Sequence, residues 1–151
     1  MRVSGMGLAV ALLMLGACKG EQDAEPAGPP APVADEVGLV YVDAALNGKT
    51  VELSVGDTLR VELESIPTAG YIWQVADQPD FLLLKAEGTR PTDPDFQNQP
   101  GVTGGNHYLS FDFTAEAAGT AELRLVEGRP WELEAGGAPD GTFTVTVNVL
   151  D

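Results

Sequence analysis

The 151-residue sequence is poor in the groups that chemistry usually needs: it has one cysteine, Cys18, and one histidine, His107. A single thiol can form neither an internal disulfide nor a thiolate zinc site, so the fold must be stabilised by its core alone. Hydrolytic triads and zinc centres draw on histidines or thiolates. The one histidine heads an alternating apolar run and reads as a polar residue flanking a loop, so no enzyme, metal or cofactor is expected. Basic residues are scarce, 8 against 23 acidic ones, for a formal charge of -15. Such a chain repels phosphate backbones, no basic stripe reverses this locally, and nucleic acid is excluded as a partner while a basic partner is favoured. No apolar run reaches the roughly 18 residues that a membrane-spanning helix requires.

The N-terminus is organised nonetheless. Arg2, the apolar stretch from Met6 to Leu15 and the small residues before Cys18 have the layout of an export signal, assigned to residues 1–17. Leu15-Gly16-Ala17-Cys18 resembles the bacterial lipobox, in which the cysteine is acylated and becomes the first mature residue. Loss of Arg2 with the signal would leave 7 basic against 23 acidic residues, or -16. Residues 18–37 then form an acylated cysteine and a tether, KGEQDAEPAGPPAPVADE from Lys19 to Glu36, whose Pro, Ala and acidic composition buries too little to order itself. The expected location is a bacterial membrane, the outer one if the cell is Gram-negative, since Lys19 rather than aspartate follows the cysteine, with the domain facing the periplasm or the exterior.

From residue 38 to 151 the pattern changes to short alternating runs bounded by Gly, Pro, Asn or Asp, with no helical period over three turns. Seven strands are predicted, A to G: Val51–Val55, Thr58–Glu64, Tyr71–Ala76, Phe81–Ala86, His107–Thr114, Thr120–Val126 and Thr142–Leu150. Leu59/Val61/Leu63, Leu109/Phe111/Phe113, Ala121/Leu123/Leu125 and Phe143/Val145/Val147/Val149 each place one apolar row on one face of a strand. Two such faces make an all-β, immunoglobulin-like sandwich, which about 100 residues can support. A monomer is expected.

Loops B-C, D-E and F-G of such a sandwich gather at one end. B-C carries Ile66-Pro67-Thr68-Ala69-Gly70-Tyr71-Ile72-Trp73, where proline fixes φ and glycine can take a positive one. D-E, Gly88 to Asn106, ends in Pro100-Gly101-Val102-Thr103-Gly104-Gly105, and F-G, Glu127 to Gly141, begins Gly128-Arg129-Pro130-Trp131-Glu132. Connections this long tend to be functional. Trp73 reads as core, Tyr71 could be either, and Asp93 and Asp95 read as solvated, since their proline-rich loop has no calcium-ligand pattern.

These three loop motifs, in this order, resemble those of the chagasin-type cysteine protease inhibitors, inhibitor family I42, over roughly Val37 to Leu150. The family pattern is Asn-Pro-Thr-Thr-Gly-Tyr with Trp after one further residue, then Gly-x-x-Gly-Gly, then Arg-Pro-Trp; the last is matched in full. The resemblance implies a reversible, non-covalent inhibitor of papain-like cysteine proteases whose loops fill the active-site cleft. Pro67, Thr68, Ala69 and Gly70 would form the wedge, with Thr68 over the catalytic cysteine and histidine. Gly101, Gly104 and Gly105 would pair by backbone on the non-primed side, and Arg129, Pro130 and Trp131 would cover the primed side. The sequence departs from the pattern at Ile66 and Ala69, where the family has asparagine and threonine, and a looser wedge is expected. The alternative is an extracytoplasmic binding module that has lost or changed protease inhibition.

Overall fold

The computed structural model describes residues 38–151; the signal segment, Cys18 and the tether lie outside the described residues. Eight strands form two four-stranded sheets. They are β1 (Leu39–Val42), β2 (Lys49–Ser54), β3 (Thr58–Ser65), β4 (Ile72–Asp77), β5 (Leu82–Pro91), β6 (His107–Ala115), β7 (Gly119–Gly128) and β8 (Gly141–Leu150). One sheet has the order β1-β3-β6-β5 and the other β2-β8-β7-β4. Most neighbours are antiparallel, but β1 runs parallel to β3 and β2 parallel to β8. The all-β sandwich is as expected, and strands A to G correspond to β2 to β8.

Two expectations need correction. An eighth strand, β1, precedes the seven: Leu39-Val40-Tyr41-Val42 is too short to show alternation, and its partner is the distant β3. Strand D does not stop at Ala86 but continues as β5 to Pro91, paired with β6 as far as His107 after a register shift between Leu84 and Ala86. Its second half, Glu87-Gly88-Thr89-Arg90-Pro91, lies at a sheet edge and is held by backbone hydrogen bonds rather than apolar burial, so it has no hydrophobic signature. The D-E connection is therefore 92–106, not 88–106. It contains a single helical turn, α1 (Pro94–Gln97), and F-G contains another, α2 (Pro130–Glu134).

The alternating rows meet between the sheets. Leu59, Val61, Leu63, Phe111 and Phe113 from one sheet pack against Leu123, Leu125, Phe143, Val145, Val147 and Val149 from the other, all buried. Among the described residues this buried cluster runs from Val42 to Val149. Packing two apolar faces at the ~10 Å spacing of stacked sheets leaves the loops at the strand ends on a rigid support.

The outer face of the first sheet holds a buried charge. Glu62 is almost fully enclosed and accepts hydrogen bonds from the Arg90 guanidinium and from the Tyr41 hydroxyl (2.9 Å). Beside it, Arg60 meets Asp112 through two parallel N–H···O contacts of 2.7 Å. Burial by itself raises the Glu62 pKa, but the hydrogen bonds from Arg90 and Tyr41 outweigh it and hold the carboxyl below its ordinary range. Burial, and then Glu62, push the Tyr41 phenol up to about 12. A carboxylate with a depressed pKa contributes stability that is complete above its unfolded value, roughly 4.3, and is lost as pH falls through its folded value. Glu62→Gln is therefore expected to melt below the wild type at pH 7, with a smaller gap at pH 3, below the ordinary carboxylate range. Thermal unfolding at both pH values checks this, and a gap of equal size at both would rule out the charge as its source.

Candidate functional site

The B-C loop crosses from one sheet to the other, joining β3 to β4, whereas D-E stays with the first sheet and F-G with the second. Topology alone thus places B-C between the other two. Its base is tied at both ends. The Ser65 hydroxyl reaches the Tyr71 carbonyl at 2.9 Å and the Glu127 carboxylate at 2.5 Å, and the Trp73 indole N–H donates to the Glu64 carbonyl at 2.8 Å. Trp73 is half-buried, its ring packed against the core, so the sequence reading was correct about its body and missed the work of its N–H.

The wedge itself is a short 3-10 turn over Pro67–Ala69. Pro67 begins it and also lines a groove of about 500 Å³ with Ile72, Trp73, Gly88 and Leu109. Ala69 N–H and Tyr71 N–H both donate to the Ile66 carbonyl, and Gly70 N–H donates to that of Pro67. Gly70 closes the turn at φ 88°, in the left-handed region that favours glycine. Thr68 and Ala69 are exposed. Ile66 gives the turn no side-chain cap and is 41% exposed. The brace comes instead from F-G, where Arg129 Nε donates to the Ala69 carbonyl at 3.2 Å.

Arg129 is fixed in turn. Its guanidinium lies 4.7 Å from the centre of the Tyr71 ring and bonds the Glu132 carboxylate at 3.1 Å. Tyr71 is therefore neither plain core nor free surface but a half-buried platform for the arginine. Pro130 starts α2, and Trp131, the next residue, is 59% exposed. The edge of its ring covers Gly70: a Cβ built there would lie 2.6 Å from Trp131 Cη2.

On the other flank, a Cβ on Gly104 would lie 3.1 Å from Thr68 Oγ1, so D-E touches the wedge through a residue with no side chain. Gly104 and Gly105 have φ of 83° and 118°, and Gly101, with φ 86°, has open space around it. His107 heads β6, its Nδ1 3.0 Å from the Gly105 carbonyl. Asp93 is not merely solvated: its carboxylate accepts from Phe96 N–H at 3.0 Å and caps α1. Among the described residues no three His, Cys, Asp or Glu side chains are grouped to hold a metal ion.

The ten loop residues expected from the sequence thus fall on three loops, of which B-C touches both of the others. The close contacts run Gly104 to Thr68, Gly70 to Trp131 and Ala69 to Arg129; Gly101 stands apart from them in open space. Sequence reasoning missed the bracing roles of Tyr71 and Ser65, which depend on partners 58 and 62 positions away in the chain.

Residues 52–147 match the chagasin family of peptidase inhibitors, I42. Chagasin of Trypanosoma cruzi is 32% identical over 94 residues, covering 60% of this chain and 81% of that protein. Among solved structures, a cysteine protease inhibitor from Entamoeba histolytica superimposes with a TM-score of 0.59 at 20% identity, over 74% of this chain and 95% of that one. The solution structure of amebosin gives 0.54 at 27% identity, over 76% and 100%.

Proposed function

Since this chain belongs to the chagasin family, whose members inhibit peptidases and are not enzymes, we propose that it is a reversible, non-covalent inhibitor of papain-like cysteine proteases whose B-C, D-E and F-G loops fill the active-site cleft. The observation that carries this reading is the mutual contact of the three loops across Thr68 and Gly70. A convex, exposed turn held from both flanks can enter a cleft with little loss of conformational freedom on binding, which is where preformed binders gain affinity.

In this reading Thr68 and Ala69 sit over the catalytic groups. The Ala69, Gly70 and Tyr71 N–H groups are already hydrogen-bonded within the turn, which holds its peptide bonds away from the extended backbone that a protease cleaves, so the wedge occupies the site of a substrate without being cleaved. The Gly101–Gly105 stretch approaches the non-primed side by its backbone, and Arg129, Pro130 and Trp131 cover the primed side. We also assign Cys18 as a lipid attachment point, supported by Leu15-Gly16-Ala17-Cys18, in the outer membrane if the cell is Gram-negative.

The test is to titrate the chain from Lys19 to Asp151 against papain and a cathepsin L-like enzyme. Tight, reversible, competitive inhibition is expected. Full protease activity at micromolar folded protein would sink the proposal and favour a binding module with another ligand. Fractionation of cells expressing the whole sequence checks the anchor, with Cys18→Ser expected to shift the protein from membranes to the soluble fraction.

A further inference from the structure

Among the described residues six large hydrophobic side chains are well exposed: Val55, Ile66, Leu83, Phe96, Trp131 and Leu150. Single exposed apolar side chains are ordinary, but their distribution here is not even. Each of the three loops holds one of them, Ile66 on B-C, Phe96 on D-E and Trp131 on F-G, and the two most exposed are the aromatics on the two flanking loops, Phe96 at 56% and Trp131 at 59%.

Phe96 is also held in place. It sits in α1, whose entry is capped by Asp93 and fixed by Pro94 at the first helical position. The neighbouring Gln97 staples this turn to the returning strand of the loop: its amide oxygen accepts from Asp93 N–H at 3.0 Å and its amide nitrogen donates to the Asn106 carbonyl at 2.9 Å. The staple packs so closely on Gly105 that a Cβ there would lie 2.0 Å from Gln97 Nε2. Successive residues of a helical turn point about 100° apart, so the side that binds Gln97 to the loop leaves Phe96 on the open side. A ring presented this way has already lost most of its backbone freedom, which favours its use as a contact.

Resting on the wedge reading, we propose that Phe96 is a second aromatic anchor, which fills an apolar subsite of the protease on the flank opposite Trp131 and sets which papain-like enzymes the chain prefers. B-C lies between D-E and F-G, so the loops that carry the two rings stand on either side of Thr68. Asp93 and Asp95 both precede Phe96 within the same turn, and they set the polarity of the subsite it fits: apolar at its floor, with neutral or basic side chains at its rim. A protease with a carboxylate at that position is repelled by the same two aspartates.

The experiment compares wild type, Phe96→Ala, Phe96→Leu and Trp131→Ala, each as the chain from Lys19 to Asp151. Inhibition constants are read against papain and against a papain-like enzyme with an acidic residue in its main non-primed pocket. Phe96→Ala is expected to weaken inhibition of papain about tenfold while its melting temperature stays at the wild-type value, with Phe96→Leu recovering most of the loss. Wild type is expected to prefer papain, and Phe96→Ala to narrow that preference. If Phe96→Ala inhibits both enzymes as well as wild type while Trp131→Ala is weakened, Phe96 is not an anchor and the wedge stands. If folded wild type leaves both enzymes fully active, the wedge reading falls and this inference with it.

Discussion

Replacing Trp131 by alanine is expected to weaken inhibition of papain by roughly 30-fold to 1,000-fold, the range that follows from the ~2–4 kcal/mol commonly lost on truncating a central interface aromatic. The ring is 59% exposed and touches the rest of the domain mainly along one edge, over Gly70. Its loss therefore leaves the core between Leu59, Phe113 and Phe143 untouched, and the melting temperature is expected to stay close to that of the wild type. A large loss of inhibition without a loss of stability marks a residue whose apolar surface is kept for a partner. Inhibition constants and thermal unfolding on the same preparations check both halves, and an unchanged inhibition constant would remove F-G from the interface.

The second large effect is expected at a residue that offers the enzyme no side chain. Gly70→Ala introduces a methyl group 2.6 Å from Trp131 Cη2 and 3.5 Å from Arg129 Cγ, at a φ of 88°. The left-handed backbone costs an L-residue about 1–2 kcal/mol, and the clash must be relieved by displacing the indole, since the turn behind it is held by three backbone hydrogen bonds. Inhibition should fall at least 30-fold, about as far as with Trp131→Ala, because the ring is moved rather than removed. The two changes act on one contact, so they should not add. In a Trp131→Ala background, Gly70→Ala should cost less stability and little further inhibition, and a double-mutant cycle measures that coupling. Additive losses would mean that Gly70 matters for its backbone alone.

Much of this arrangement is legible in the sequence, for a physical reason. Rows such as Phe143/Val145/Val147/Val149 bury one face of a strand and expose the other, and that alternation survives in the amino-acid order whatever the strand pairs with. The four residues of β1 and the outer half of β5 gain their stability from neighbouring backbones, which leave no such trace. The turns α1 and α2 are too short for a period of 3.6 to show, although Asp93-Pro94 and Arg129-Pro130 carried the start signal of a capped or proline-led helix. The B-C glycine is legible as a place for positive φ, which Gly70 shows at 88°, and the D-E glycines as places where another backbone could pair. Gly70 and Gly104 are approached first from within, by Trp131 and Thr68. Ile66 gives the turn no side-chain brace, whereas Arg129 reaches the Ala69 carbonyl across the loops, a tertiary contact that no local motif encodes.

The parallel pairing of β1 with β3 gives the domain a direction. Leu39 lies beside Thr58, where β3 begins, and β3 then runs eight residues to Ser65 at the foot of the wedge. At about 3.3 Å per residue, roughly 26 Å separates the two poles. β8 leaves the F-G loop and finishes at Leu150 beside Ser54, at the same far pole. Polypeptide attached on either side of the domain thus departs from the pole opposite the three loops, so under the proposed attachment at Cys18 the pull of such a leash would fall on the end away from the wedge. Anchored so, the molecule would stand like a bristle with its tip outward, its reach set by the leash and its aim by the order of two strands.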